Sequence, residues 1–287
     1  MDNKKMITGK TTCLGILGWP VEHSLSPLMQ NSAFASAGLD YVYIPLPVKP
    51  DALPQAVAGL KALGYGGANV TIPHKINVMP LLDELDISAK MVGAVNTIVI
   101  KNNKSRGYNT DADGFVQPLL KKGISLQKKK AVLLGAGGAA RAVIWGLIQQ
   151  GIGEISIGVR DLEKARSIVE VFSAYCPIAA CQWPSTELDA KLKNCDLLIN
   201  STPLGMWPHI EQEPPLDWSL LPPNIAVSDL IYTPPSTNFL QKAAQHGHFC
   251  LNGAGMLVEQ GAAAFTLWTG QPAPTAAMYA ALGLNKV

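Results

Sequence analysis

Short β-branched and apolar runs alternate with helical segments along this chain of 287 residues, which restricts its fold to the α/β class. In the first half, the alternation predicts strands at 12–17, 41–47 and 67–72, and helices at 27–37, at 53–63 and directly after Lys75. Two later runs, 94–100 and 106–109, flank a polar turn and therefore predict a strand pair. The first sheet is thus predicted to be mixed rather than purely parallel.

The second half repeats the alternation and predicts a doubly wound, Rossmann-like sheet. Its predicted elements are a helix at 112–122 and five strands at 131–134, 154–159, 196–200, 225–230 and 249–252. Two apolar helices at the end of the chain, 256–268 and 275–284, have no strand to accompany them, so we expect them to pack on the first domain. The predicted domains are residues 1–110 with 253–287, and residues 111–252.

A glycine-rich turn follows the first strand of the second domain and opens a helix. Its residues are Gly135, Ala136, Gly137, Gly138 and Ala139. Glycines permit a tight turn and the close approach of a pyrophosphate, whose charge is stabilised by backbone amides at the helix N-terminus. Such a turn can also serve only helix-to-strand packing. The strand-turn-helix context, with a second strand at the expected distance, favours a dinucleotide site.

The residues after that second strand bear on the choice of cofactor. Arg160 and Lys164 suit the 2′-phosphate of NADP, whereas Asp161 suits the free ribose hydroxyl of NAD and repels a phosphate. Asp161 also stands immediately before a predicted helix, 162–172, and is equally suited to cap it. These residues leave both cofactors open.

Two lone ionisable residues, Lys75 and Asp111, each follow a predicted strand of the first sheet. Lys75 comes after a strand that ends at a proline, so it emerges at the carboxyl edge, where α/β proteins bind ligands. A lysine and an aspartate placed in this way can form a proton-transfer pair. The plainer alternatives are a surface lysine at a helix start and an aspartate that caps the helix beginning at Ala112.

Ser24 and Ser26 lie in a loop before a predicted helix, where both hydroxyls can bind one anionic group. Taken alone, the pattern favours Ser26 as a simple N-cap with Pro27 in the first helical position. The histidines are left out of the predicted chemistry, and no metal site is predicted. His246 and His248 are expected at the surface rather than as metal ligands.

Several motifs, in order along nearly the whole chain, together resemble the shikimate dehydrogenase family, which includes the quinate/shikimate dehydrogenases. The segments that resemble it are 23–27 (HSLSP), 69–75 (NVTIPHK), 93–97 (GAVNT), 109–111 (NTD), 135–140 (GAGGAA), 200–206 (NSTPLGM), 229–232 (DLIY) and 255–261 (GMLVEQG). The resemblance implies an oxidoreductase that interconverts 3-dehydroshikimate and shikimate with NADP(H), in the pathway to chorismate and the aromatic amino acids.

The same resemblance implies roles for individual residues. Lys75 and Asp111 match the catalytic pair, and Ser24 and Ser26 match the serines that bind the substrate carboxylate. The other implied substrate contacts are Thr71, Asn96, Tyr232 and Gln260. The other implied cofactor contacts are Ser201, Thr202 and Met206, on the loop that lines the nicotinamide side, together with Gly253 and Met256. Taken singly, three of these have structural alternatives, namely Asn96 in a turn, Gln260 on a solvated helix face and Tyr232 in a core.

One departure from the family pattern concerns the cofactor. NADP-dependent members have Asn-Arg-Thr or Asn-Arg-Ser after the second strand, whereas this chain has Val159, Arg160 and Asp161. NADP is the predicted cofactor, with NAD possible because of Asp161. An NAD-dependent quinate/shikimate dehydrogenase is therefore the alternative function. More remote alternatives are another two-domain dinucleotide enzyme, such as a methylenetetrahydrofolate dehydrogenase, and a non-catalytic binding protein on this fold.

Composition argues against several kinds of partner. The net charge of +2 is too small to indicate a nucleic acid, and the main lysine cluster has no interleaved aromatic residues. The most apolar long stretch, 131–148, is interrupted by glycines and by Arg141, so no membrane span is predicted.

Five cysteines without paired metal-ligand spacing favour a reducing compartment, by default the cytoplasm. We expect a monomer or homodimer that binds a small-molecule substrate.

Overall fold

The computed structural model describes residues 7–284, whose first half forms a six-stranded sheet. Its strands are β1 (Thr12–Gly18), β2 (Tyr41–Pro47), β3 (Gly67–Val70), β4 (Glu84–Leu85), β5 (Thr97–Lys101) and β6 (Lys104–Tyr108). They lie in the order β2-β1-β3-β5-β6-β4. β1 runs parallel to β2 and β3, whereas β5 runs antiparallel to β3 and β6, which confirms the predicted mixed sheet.

Three helices accompany this sheet: α1 (Ser26–Ser36), α2 (Leu53–Ala62) and α3 (Ile87–Val92). Leu53, Val57 and Leu60 lie at helical spacing on one side of α2 and are buried. They join a core cluster that includes Ala68 and Val70 of β3. Burial of this apolar stripe fixes α2 on the sheet, while the carboxyl ends of β1 and β3 remain at one edge.

The second half forms another six-stranded sheet, in which every pairing is parallel. Its elements are α4 (Asp111–Lys121), β7 (Lys130–Leu134), α5 (Gly138–Gln149), β8 (Glu154–Val159), α6 (Glu163–Phe172), β9 (Ile178–Gln182), α7 (Thr186–Leu192), β10 (Leu197–Asn200), β11 (Ala226–Asp229), α8 (Asn238–Gln245) and β12 (Phe249–Leu251). The strand order is β12-β11-β10-β7-β8-β9, so the direction of winding reverses between β7 and β10. This is the doubly wound arrangement that the sequence predicted, with its ligand-binding switch point beside β7.

The last two helices, α9 (Ala254–Thr269) and α10 (Thr275–Ala281), return to the first sheet as predicted. Trp268 of α9 donates its indole N–H to the carbonyl of Ile98 at 2.9 Å. Gly67 of β3, with φ at 151°, leaves room for that indole, because a Cβ there would lie 2.7 Å from the indole nitrogen. Gln30 of α1 donates to the carbonyl of Gly261 at 2.9 Å.

The described chain divides into two compact units, residues 7–110 with 258–284, and residues 111–257. The first turn of α9 thus groups with the second unit, whereas the sequence placed this boundary at residue 253. Residues 1–6 and 285–287, which the prediction assigned to the first domain, lie outside the described residues. Within the described part of the chain, no helix has the length and apolar character that a bilayer span requires.

Two predicted features differ from the structure. The helix expected directly after Lys75 is absent, and turns and a short 3₁₀ segment (Met79–Leu81) lie there instead. Pro80 has no amide hydrogen and cannot donate the backbone bond that an α-helix needs there, which disfavours a helix through this segment. The sequence also missed β9, because Ile178 is its single β-branched residue. Pairing of all its residues with β8 forms this edge strand despite its weak propensity.

Candidate active site

Ser26 is the first residue of α1, and its side chain is buried rather than capping the helix. The N-cap position belongs to Leu25, which makes no side-chain cap, so the interpretation of Ser26 as the N-cap is wrong. Burial raises the pKa of the Tyr43 phenol well above its ordinary value, and an interaction with the Ser26 side chain opposes this rise. Ser24 is half-buried, and its hydroxyl accepts from the Ser26 amide at 3.3 Å. The structure thus brings both serines together before α1.

A buried hydrogen-bond network continues from Tyr43 across the sheet. Tyr43 donates to the side-chain carbonyl of Asn69 at 2.7 Å. The Asn69 amide nitrogen donates at 3.0 Å to the Asn96 carbonyl and at 3.0 Å to the Thr97 hydroxyl. Thr97 in turn donates to Oδ1 of Asn96 at 2.9 Å. Because each member is at most 5% exposed and has partners, the network holds the Asn96 amide in one orientation.

Asn96 connects this network to the start of α4. Its Oδ1 accepts from the Thr110 amide at 2.9 Å, and its Nδ2 donates to the Thr110 hydroxyl at 3.0 Å. Thr110 directly precedes Asp111, which is itself the first residue of α4. The helix therefore begins one residue earlier than the capping alternative assumed, so the alternative that Asp111 caps a helix beginning at Ala112 is wrong. Asn96 does satisfy backbone groups, as its structural alternative proposed, and it does so next to the predicted catalytic aspartate.

Thr71 and Lys75 follow β3 in a turn that is fixed by backbone hydrogen bonds. The Thr71 amide donates to the carbonyl of Leu17 at 2.9 Å. The carbonyl of Lys75 accepts from the amide of Val95 at 2.8 Å, which ties its main chain to the residue before Asn96. The Lys75 side chain is half-buried. Lys75 thus lies beside the polar network rather than in an open surface helix.

His74, next to Lys75, has a structural role. It is fully buried, and its Nε2 lies 2.7 Å from the carbonyl oxygen of Val48. Since a carbonyl only accepts, Nε2 has the proton and is already committed to this bond. Leaving His74 out of the predicted chemistry therefore agrees with its geometry.

The other two predicted substrate contacts lie on different units. Gln260 is half-buried on α9, in the first unit, next to the buried Glu259 that accepts from the Tyr279 hydroxyl at 3.2 Å. Tyr232 follows β11 in the second unit and is 44% exposed, so the alternative that places it in a core is wrong.

The glycine-rich turn joins β7 to α5 as predicted. Gly135 has φ at 99°, and a Cβ there would lie 2.9 Å from the Thr202 methyl and 3.1 Å from the Ser201 hydroxyl. Ser201 donates to the carbonyl of Leu134 at 2.9 Å, so the loop after β10 contacts this turn. Gly137 is the N-cap of α5 and is exposed together with the first two helical residues. This open helix N-terminus suits a pyrophosphate.

At the end of β8, Arg160, Asp161 and Lys164 are all exposed. The Asp161 carboxylate accepts from the Glu163 amide at 3.1 Å, at the start of α6. The N-cap of α6 is Leu162, so the interpretation of Asp161 as the N-cap is wrong, while its contact with a ribose stays a prediction. Gln182 of β9 donates to the carbonyl of Arg160 at 2.8 Å and holds the backbone of this segment.

The remaining predicted cofactor residues lie in the second unit. Met206 is 47% exposed on the loop after β10, and Met256 is half-buried in the first turn of α9. Gly253 donates to the carbonyl of Ile231 at 3.0 Å, and a Cβ at this position would lie 2.0 Å from the carbonyl oxygen of Leu230. Only glycine allows this close approach of the two segments.

Within residues 7–284, no group of three or more His, Cys, Asp or Glu side chains is placed to hold a metal ion. His246 is exposed as predicted, but His248 is buried, so its expected surface position is wrong. Its ring lies 6.2 Å from that of Trp218, which explains its burial as aromatic packing.

Three family models match this chain. The model described as "Shikimate dehydrogenase substrate binding domain" matches residues 16–98, and "Shikimate / quinate 5-dehydrogenase" matches residues 118–206. "Shikimate 5'-dehydrogenase C-terminal domain" matches residues 253–282. The first match contains the strands and turns that hold Ser24, Ser26, Thr71, Lys75 and Asn96.

The NADP(+) shikimate dehydrogenase of Alkaliphilus metalliredigens is 45% identical over 271 residues, which cover 93% of this chain and 95% of the relative. The chain belongs to the shikimate dehydrogenase family. A relative with the same description from Desulforamulus reducens is 46% identical and covers 95% of this chain and 94% of its own length.

Solved structures of the shikimate dehydrogenase family superpose on nearly the whole chain. The enzyme of Listeria monocytogenes, solved with shikimate and NAD, has a TM-score of 0.93 at 35% identity, with 97% of this chain and 98% of that chain covered. A shikimate dehydrogenase in complex with NADP+ has a TM-score of 0.87 at 40% identity, with 98% of each chain covered. The quinate dehydrogenase of Corynebacterium glutamicum, solved with NAD, has a TM-score of 0.86 at 27% identity, with 95% and 98% covered.

Sequence reasoning missed several polar residues that the fold brings to the family motifs. They are Tyr43, Asn69, Thr97, Thr110 and Asp229. A polar residue inside a motif already noted was the available signal for four of them, namely Asn69, Thr97, Thr110 and Asp229. Tyr43 stands in a strand with no neighbouring motif, so its role becomes visible only through its partners.

Proposed function

We propose that this protein catalyses the reversible NADP(H)-dependent reduction of 3-dehydroshikimate to shikimate, in the biosynthesis of chorismate and the aromatic amino acids. The observation that most supports this function is the buried network from Tyr43 through Asn69 to Asn96. It holds hydroxyl and amide groups in fixed orientations beside Lys75. Such an arrangement suits a small ring that has a carboxylate and several hydroxyls.

In the proposed substrate site, Ser24 and Ser26 bind the carboxylate of the substrate. The remaining contacts, to the carboxylate or to the ring hydroxyls, are made by Thr71, Asn96, Tyr232 and Gln260. Asn96 is preorganised by Thr97 and Thr110, so little conformational entropy is lost when it binds the ring.

Lys75 and Asp111 are the proposed catalytic pair. The ammonium of Lys75 gives a proton to the C3 oxygen as the C3 carbonyl carbon is reduced, and the lysine is left neutral until it regains a proton from solvent. In the reverse direction, neutral Lys75 accepts that proton as general base. Asp111 hydrogen-bonds a ring hydroxyl and orients Lys75, and its backbone follows Thr110, which Asn96 anchors.

NADPH supplies the hydride when it is bound. In our proposal, the amides of Gly135, Ala136, Gly137, Gly138 and Ala139 hold its pyrophosphate, and Arg160 and Lys164 hold the 2′-phosphate. Ser201, Thr202, Met206, Gly253 and Met256 line the nicotinamide side. The Asp161 carboxylate accepts from the Glu163 amide through Oδ1 and has a second oxygen that can accept from a ribose hydroxyl.

The first test follows the absorbance of the reduced nicotinamide with purified protein. Shikimate and quinate are offered separately, each with NADP+ and with NAD+. We expect reduction of NADP+ that depends on shikimate. Activity on quinate with NAD+ alone would instead favour the alternative function, and no activity in any of the four mixtures would contradict the proposal.

The substitution Gly18→Ala is expected to raise KM for shikimate about tenfold while KM for NADP+ stays unchanged. Gly18 ends β1, and a Cβ there would lie 2.5 Å from the methyl carbon of Thr71, so Thr71 must move. Steady-state kinetics with each ligand varied in turn measures the effect. Gly59→Ala is the matched control, because nothing lies within 4 Å of a Cβ on Gly59 in α2. Equal KM values in both variants would contradict a role of Thr71 in substrate binding.

We also propose a cytoplasmic location and a monomeric or homodimeric state. All five cysteines lie in the described part of the chain and are free thiols. Burial raises the pKa of Cys181 to about 11 and that of Cys195 to about 12, so neither is a reactive thiolate at neutral pH. Light scattering of the purified protein and fractionation of cells test the two statements.

A further inference from the structure

Asp229, the last residue of β11, is a fully buried carboxylate that the proposed mechanism does not use. Its Oδ2 accepts from the Thr237 hydroxyl at 2.6 Å. Its Oδ1 accepts from the Asn200 side-chain amide and from the Ile231 backbone amide, each at 3.1 Å. Burial raises the pKa of Asp229 to about 6, against the opposing effect of these three hydrogen bonds, so the carboxyl is mostly ionised at neutral pH.

The carboxylate determines how the Asn200 side chain is oriented. Because an ionised carboxylate only accepts hydrogen bonds, the NH₂ group of Asn200 must face Asp229. The Asn200 carbonyl oxygen then faces the loop after β10. There it accepts from the Thr202 amide at 3.0 Å and from the Thr202 hydroxyl at 2.7 Å. Asp229 therefore fixes the Asn200 side-chain amide, which in turn accepts the hydrogen bonds of Thr202.

The same carboxylate also shapes the segment before Tyr232. Its bond to the Ile231 amide closes a turn directly after β11. The carbonyl of Ile231 accepts from the amide of Gly253 at 3.0 Å, which joins this turn to the start of α9. The Asp229 carboxylate is thus linked to three parts of the chain. They are the loop with Ser201 and Thr202, the segment with Tyr232, and the residue Gly253.

We propose that Asp229 is a positioning residue that fixes the loop with Thr202, and the turn before Tyr232, in the geometry that binds the dinucleotide. This proposal rests on the proposed function, which places Ser201, Thr202 and Gly253 beside the nicotinamide. A residue needed only for stability would not require an ionised group here, because burying a charge opposes folding. Two of its three hydrogen-bond donors, Asn200 and Ile231, directly precede the predicted site residues Ser201 and Tyr232.

The test compares Asp229→Ala with Asp229→Asn. Alanine removes the acceptor of both Asn200 and Ile231, and we expect KM for NADP+ to rise about tenfold, the effect of roughly one lost buried hydrogen bond. Asparagine keeps a carbonyl oxygen for these two donors, while its NH₂ donates to the Thr237 hydroxyl. We therefore expect Asp229→Asn to restore KM to the wild-type value.

A second measurement does not depend on activity. Hydrogen exchange of the protein without cofactor reports on the Thr202 amide, which Asn200 holds. We expect faster exchange in Asp229→Ala and wild-type exchange in Asp229→Asn. NADPH binding, followed by its fluorescence, is expected to weaken in parallel with the exchange.

Thr237→Val is the matched control, because it removes a buried hydrogen bond to the same carboxylate and the side-chain cap of α8 but leaves Asn200 in contact with Asp229. It is expected to lower thermal stability without raising KM for NADP+. If Asp229→Ala does not fold, Asn200→Leu carries the test, since it breaks the link to Thr202 and leaves the Ile231 and Thr237 bonds of Asp229 in place.

Unchanged KM and unchanged exchange in the alanine or leucine variant would overturn the proposal, and so would an equal rise of KM in Thr237→Val. Failure of the proposed function gives a different result, because the wild-type protein would then reduce no NADP+ with shikimate. The exchange measurement would in that case still show whether Asp229 holds the loop.

Discussion

Lys75→Ala is expected to lower kcat for shikimate oxidation by about 10²–10⁴-fold, the usual contribution of a positioned general acid or base. KM for shikimate is expected to change much less, because Ser24 and Ser26 still bind the carboxylate and Asn96 still binds the ring. The physical reason is that the hydroxyl proton at C3 must leave as hydride departs, and without Lys75 only water remains to accept it. Steady-state kinetics with NADP+ at saturation measures both constants.

Two further variants show which property of Lys75 matters. Lys75→Arg keeps the positive charge, but a guanidinium does not release its proton in proteins. It is therefore expected to lose kcat nearly as strongly as the alanine variant. Lys90→Ala removes an exposed lysine from α3 of the same unit and is expected to leave both constants unchanged. Near-normal turnover of Lys75→Ala would remove Lys75 from the mechanism.

Arg160→Ala is expected to raise KM for NADP+ by about 10–100-fold and to leave KM for NAD+ nearly unchanged. Arg160 comes directly after β8. Because Gly158 of β8 pairs with Leu134 of β7, the backbone of Arg160 lies beside the glycine-rich turn that follows β7. An arginine can donate two parallel hydrogen bonds to a phosphate, and NAD has no phosphate at that position. The ratio of kcat/KM values for the two cofactors is the measurement.

Neighbouring charges provide the controls for this experiment. Arg166→Ala removes an exposed arginine of α6, which lies 3.2 Å from Glu163 and 3.6 Å from Glu170, and it is expected to change neither KM.

Asp161→Asn keeps an oxygen for the Glu163 amide but removes the charge that repels a phosphate. We expect it to lower KM for NADP+ severalfold, since roughly 1 kcal/mol of repulsion is removed. If it raises KM for NAD+ instead, Asp161 is a ribose ligand. Equal losses for both cofactors in Arg160→Ala would contradict its role in binding the 2′-phosphate.

Most strands and helices could be predicted from the sequence because their patterns are local. β2 (Tyr41–Pro47) and β8 (Glu154–Val159) have the predicted bounds, since β-branched and aromatic runs end there at turn-forming residues. β9 could not be predicted, because its own residues have little strand propensity and it forms by pairing with β8. The helix expected after Lys75 is replaced by turns and a 3₁₀ segment that contains Pro80, a residue that cannot donate a backbone bond to a helix.

The residues of the candidate site also fall into those that local sequence patterns predict and those that only the fold brings together. The sequence predicts Lys75, Asp111 and the glycine-rich turn as site residues, because each follows a strand in a recognisable local motif. It does not predict the contacts of Tyr43 and Asp229, because their partners are remote in sequence. Tyr43 contacts Asn69, 26 positions away, and Asp229 contacts Asn200, 29 positions away. No local pattern shows that two such residues meet.

The sequence by itself determined which segments form strands and helices and which ionisable or glycine residues stand at strand ends, because periodicity and turn chemistry act over a few residues. Only the tertiary structure decided which polar groups meet and in which direction each donates. The physical reason is that sheet register brings β10 beside β11, and burial then requires every polar group there to find a partner. The orientations of Asn96 and Asn200 follow from that requirement.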